Sequence, residues 1–173
     1  MIMPRGYTQL LLPARPGFIA LSLALAFAVH LLPLGRQPAF PDVLAVVLVF
    51  WNVHQPRRVG LGVAFVLGLL NDVNQGALLG QYALSYTLLS YGAIAIHRRL
   101  LWFNVRDQAV QVLPLFVAAT LVSLIVRLAV GGMFPGWSMW WAPLLQAALW
   151  PLACVLLLAP QRRAPDPDQN RPL

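Results

Sequence analysis

Residues 68–84 read GLLNDVNQGALLGQYAL, placing Asn71, Asp72, Asn74 and Gln75 in the middle of an apolar region. The stretch is bracketed by Arg58 and Arg98, which enclose residues 59–97, 39 positions in all. A helix that crosses a bilayer takes roughly 20 mainly apolar residues, so this interval holds two crossings and a tight turn. With the turn at residues 71–75, the third helix keeps only about 13 residues, or ~20 Å at 1.5 Å per residue. That is short of a ~30 Å hydrocarbon core. The arginines cannot sink to compensate, since each costs roughly 3 kcal/mol at mid-depth. The spacing therefore predicts that Asp72 lies below the outer surface. Irregular polar backbone survives there only when shielded by protein or facing a cavity.

Composition extends this reading to the whole chain. Of 173 residues, 60% are hydrophobic and 10% are charged, against about 25% charged in a soluble domain. There is no lysine and no glutamate; twelve arginines face five aspartates. A net charge of +7 suits nucleic acid only when gathered on one face. Here the arginines punctuate apolar segments, so no nucleic-acid partner is expected. Cys154 is the single cysteine, which excludes a disulfide framework or a metal–thiolate cluster.

Six apolar segments are predicted as spans: 17–34, 41–54, 59–71, 76–97, 110–130 and 137–158. Residues 1–16 and 160–173 read as short cytoplasmic tails around one transmembrane domain, 17–159. Arg5 and Arg15 ahead of an apolar run, with Ala26-Phe27-Ala28 inside it, resemble a signal peptide. The run continues to Leu34, which favours an uncleaved anchor. With the N-terminus inside, Arg5, Arg15, Arg57, Arg58, Arg98, Arg99, Arg106, Arg162, Arg163 and Arg171 are cytoplasmic. The outer loops hold only Arg36, and Arg127 lies within the fifth helix. This asymmetry predicts two cytoplasmic termini. Trp51 and Trp102 are expected near the inner surface, and Phe134, Trp137, Trp140 and Trp141 at the outer end. There they form an aromatic belt or dock a partner. Pro114, Pro143 and Pro151 are expected to kink the last two helices rather than end them. The two halves show no internal repeat of the transporter kind.

Gly68, Asp72, Gly76 and Gly80 recur every four residues, a spacing that keeps side chains on one helical face. Gly76 to Gly80 forms a GxxxG unit, which lets helices approach closely within the chain or against another protein. Tyr82, Ser85, Tyr86, Thr87 and Ser90 follow, with hydroxyls for neighbouring helices. Asp72 has three readings: a cap on the next helix N-terminus, a partner for Arg127, or a contact for a ligand or protein. Arg127 either pairs with Asp72 or extends its head to the outer surface.

Reactive chemistry is sparse. Asp42 reads as the cap of the second helix, and Asp107, Asp166 and Asp168 fall in a loop and a tail. His54 and His97 sit at inner helix ends, with His30 at the opposite side. No nucleophile–base pair, third metal ligand or phosphate-binding glycine loop is present. The expectation is a protein that is not an enzyme, with no cofactor and no metal.

Gly68-Leu69, Asp72, Gly76, Leu79-Gly80 and Ala83-Leu84 resemble the signature of the MreD family, rod shape-determining membrane proteins of bacteria. Trp51, Pro56, Arg58 and Gly60 resemble the end of that family's second helix and the following inner loop. The polar run Asn71, Asn74 and Gln75 departs from the pattern. The resemblance implies an all-α, six-helix protein of the inner membrane, similar to the substrate-binding subunits of energy-coupling-factor transporters. It also implies a non-catalytic scaffold for lateral peptidoglycan synthesis. The implied partners are an MreC-like single-span protein, MreB-like filaments, a RodA-like glycosyltransferase and a class B penicillin-binding protein. The alternative is a small-molecule-binding membrane subunit of a transporter, with an outer cavity at Asp72.

Overall fold

The computed structural model describes residues 15–31 and 39–161. Both expected tails, apart from their inner edges, lie outside these residues. So do the end of the first predicted span and Arg36. The described chain folds into six α-helices: α1 Pro16–Leu31, α2 Val43–His54, α3 Leu61–Gln75, α4 Gln81–Leu100, α5 Val105–Ala129 and α6 Trp141–Leu158. Short 3-10 turns, Trp137–Trp140 and Ala159–Gln161, flank α6. Two segments, Val105–Ala129 and Trp137–Gln161, are each 25 residues long and apolar enough to cross a membrane. α1 and α2 are apolar but shorter.

α2 is the axis of the bundle. Every residue from Leu44 to Val53 is buried, as expected of a helix apolar on all sides. It packs against α1, α4 and α6. Asp42 starts it, accepting a hydrogen bond from Ala45 N at 3.0 Å. One polar side chain interrupts the axis: Asn52 donates to Leu48 O at 2.9 Å and to Ser90 Oγ of α4 at 2.8 Å.

This central position corrects the reading of Trp51 as an interfacial residue. Its ring is fully buried, edge-on to Phe18 and Phe50, and its Nε1 donates to Ser22 Oγ of α1 at 2.8 Å. A helix surrounded by neighbours has no face left for a membrane belt. Trp102, Trp137 and Trp141 are exposed. Pro143 also differs from expectation. It is the third residue of α6, where no intrahelical N–H bond is lost, whereas α5 and α6 run through Pro114 and Pro151.

The α3–α4 hairpin departs furthest from the predicted boundaries. α3 continues through Asn71–Gln75, and the turn occupies residues 76–80. Gly76 adopts the left-handed conformation, φ 60°. Its N–H donates to Val73 O at 3.3 Å, and Ala77 N donates to Asp72 O at 3.0 Å. These paired bonds are a Schellman ending, which favours glycine at the left-handed position. Gly80, at φ 103°, precedes α4. The Gly76–Gly80 unit is therefore not a helix face, and a β-carbon added at either position meets nothing within 4 Å. Spacing by four aligns side chains only where the chain is helical, and here it leaves the helix at Gly76.

Close approach of the two helices occurs at Gly68 instead. A β-carbon there would fall 2.4 Å from Ala83 Cα. With Ala64 and Ala83 also buried, small residues let α3 and α4 pack backbone to backbone.

Candidate functional site

Asp72 is fully buried near the end of α3. Its carboxylate accepts hydrogen bonds from Gly80 N at 2.8 Å, Tyr82 N at 2.7 Å and Ala83 N at 3.4 Å. These donors open α4, where the first turn has no intrahelical acceptors. Gly80 has no side chain to cap its own helix, so the carboxylate reaches across from α3 to do so. It also meets the positive end of the α4 dipole. Asp72 thus acts at both sides of one turn: its carbonyl closes α3 while its carboxylate starts α4.

No ion pair within 4.0 Å joins Asp72 to Arg127. Arg127 lies in the last turn of α5, where its carbonyl accepts from Gly132 N at 2.9 Å. The fold brings Gly68, Asp72, Gly76 and Gly80 together in one hairpin and leaves Arg127 on another helix.

Beside this hairpin lies a polar network that the sequence reading did not assemble. Asp42 Oδ2 accepts a hydrogen bond from Tyr86 Oη of α4, and Oδ1 lies 3.6 Å from His30 Nδ1 of α1. Asn71 of α3 donates to Tyr86 Oη at 3.0 Å. Gln75 Nε2 lies 2.9 Å from His30 Nε2, and Asn74 Nδ2 lies 3.5 Å from His30 O. Four helices are tied together at one end of the bundle. The signal in the sequence was the unusual polar run 71–75, whose partners come from α1 and α4.

The network forms one edge of a cavity of about 790 Å³. Asp42 and Tyr86 meet it from one side, Ser123 and Arg127 of α5 and Gln146 of α6 from the other. Gln81 Nε2 of α4 bridges towards Ser123 Oγ at 3.4 Å. Asp72 does not line this space; its oxygens are turned to the α4 backbone. Among the described residues, no group of three or more His, Cys, Asp or Glu side chains is placed to hold a metal.

The helices thus define a class: an all-α membrane protein whose buried polar residues serve capping and helix-to-helix bonding. Comparison with known families makes the assignment specific. The sequence model described as rod shape-determining protein MreD matches residues 12–159, and the chain belongs to that family. A relative is the "Rod shape-determining protein MreD" of Haemophilus influenzae, 28% identical over 145 residues, covering 80% of this chain and 87% of that one. No solved structure matches the chain. Family membership fits a role in rod-shape determination, and no catalytic family is indicated.

Proposed function

We propose that the chain is a non-catalytic scaffold subunit of the bacterial cell-elongation complex. It crosses the inner membrane six times with both termini in the cytoplasm. In this role it binds an MreC-like single-span partner and organises lateral wall synthesis with MreB-like filaments, a RodA-like glycosyltransferase and a class B penicillin-binding protein. The observation that carries the reading is the family match, which extends over all six helices. The arginine pattern supports the orientation. Arg15, Arg57, Arg58, Arg98, Arg99 and Arg106 sit at the helix ends opposite Asp42 and Asp72, as cytoplasmic loops favour arginine. Exposed apolar side chains on α3, including Phe65, Val66 and Leu70, suit lipid or a partner helix.

Depletion in a rod-shaped host tests the role. Cells should round up and lateral wall incorporation should fall, and a single-span partner should co-purify with the tagged chain. Rod growth and wall incorporation unchanged after depletion would remove the scaffold. Orientation is tested by single cysteines at Arg57 and Arg98 in a Cys154→Ala background, which should both be labelled from the cytoplasm.

The cavity favours a second reading, a small-molecule-binding membrane subunit of a transporter. Its volume lies within the range of ligand sites, and Arg127 lines it without a carboxylate within 4.0 Å among the described residues. A solute retained by the wild type and lost in Arg127→Gln would favour this reading over the scaffold.

A further inference from the structure

At the opposite end of the bundle, the α4–α5 corner forms a second recess. Arg98 and Arg99, in the last turn of α4, and Trp102 and Phe103, in the connection, line a shallow hollow of about 360 Å³. All four residues are exposed, Trp102 at 89%. The corner is held from within the core. Gln108 donates to Phe103 O at 3.0 Å and accepts from the buried Trp150 Nε1 at 3.2 Å. Leu100 beside it is fully buried. Among the described residues, no carboxylate lies within 4.0 Å of either guanidinium in the hollow. Arg106, at the start of α5, adds further positive charge, against Asp107 alone.

We propose that this corner binds the phosphate of an anionic phospholipid. The forks of Arg98 and Arg99 match phosphate oxygens in geometry and charge. The rings of Trp102 and Phe103 supply an apolar rest for the glycerol and first acyl carbons, at the depth where amphipathic rings settle. Basic recesses at the cytoplasmic ends of membrane helices bind anionic head groups through this combination. The proposal rests on the reading that the arginine end faces the cytoplasmic leaflet. It needs no partner protein.

The test is lipid titration of the purified full chain, read by native mass spectrometry. Phosphatidylglycerol, phosphatidylcholine and inorganic phosphate are the probes. The wild type should retain phosphatidylglycerol in preference to phosphatidylcholine. The double substitution R98Q/R99Q should weaken that retention about thirtyfold, as two surface arginines together contribute. Arg57→Gln, at the same end but outside the hollow, should leave it unchanged. Trp102→Ala removes an exposed ring and should also weaken retention, which provides a second arm if the double variant does not fold. Equal retention by the wild type, R98Q/R99Q and Trp102→Ala would overturn the site. Displacement of the lipid by an equal concentration of inorganic phosphate would assign the hollow to a free anion and overturn the lipid. Since the isolated chain is measured, failure to co-purify a single-span protein would sink the scaffold and leave this site standing. Labelling single cysteines at positions 57 and 98 from opposite sides would sink the orientation and, with it, the assignment of this hollow to the cytoplasmic leaflet.

Discussion

Ala83 Cα occupies the space where a side chain on Gly68 would begin. An added β-carbon would meet it at 2.4 Å, with Ala83 N at 2.7 Å and Tyr82 O at 2.8 Å. All three are backbone atoms, so no rotamer change relieves the contact. Making room means moving α4 off α3, which pulls Gly80, Tyr82 and Ala83 away from the Asp72 carboxylate. The close approach and the cap stand or fall together.

Gly68→Ala should therefore destabilise the protein by about 1–3 kcal/mol, the usual range for overpacking. Gly68→Leu should abolish the monodisperse folded fraction. Thermal unfolding and size-exclusion of the detergent-purified protein measure both. A wild-type melting temperature in Gly68→Ala would show that the helices are not in backbone contact.

Asp72→Ala strands buried N–H groups and should cost roughly 2–3 kcal/mol. Asp72→Asn keeps one acceptor oxygen and should lose less. If Asp72 instead acted through Arg127, exchanging the two charges would restore stability. The cap predicts that Asp72→Arg combined with Arg127→Asp is no better than Asp72→Arg alone. Rescue in the unfolding assay would discard the cap as the main role.

Gly80 and Gly68 should respond differently to side-chain size. At Gly80 the difficulty is the backbone, φ 103° with open space around an added β-carbon. Ala and Leu should therefore cost a similar ~1–2 kcal/mol. At Gly76, φ 60°, Asn should be tolerated because it enters the left-handed region readily. A steep rise from Gly80→Ala to Gly80→Leu would mean that this turn is packed against something.

Tyr86→Phe removes the hydroxyl shared by Asp42 and Asn71. Asn71 Oδ1 already lacks a partner, so its whole amide would then be buried without one. A loss of about 1–3 kcal/mol is expected. Tyr82→Phe is the control, since no hydrogen bond of its hydroxyl is present among the described residues. Equal effects of the two substitutions would show that the network contributes little.

Much of the architecture was legible because it depends on composition along the chain. Long apolar runs divided by arginine pairs mark six helices, and Asp42 ahead of a solid apolar segment marks where α2 begins. The special character of residues 68–84 was also legible, since polar residues there conflict with everything around them. The glycine face was misread. Periodicity assumes that the helix continues, and only the three-dimensional turn shows that it stops at Gly76.

Residue order along the chain determined the class of protein and the number of helices, because apolar run length and charge placement act locally, and the motif within residues 68–84 carried the resemblance to the family. Tertiary structure alone decided what Asp72 bonds to, which glycine touches a neighbouring helix, and that Trp51 is core rather than surface. It also decided that His30, Asp42, Asn71 and Tyr86 meet. These contacts join residues distant in sequence, and their energy exists only once the helices have packed.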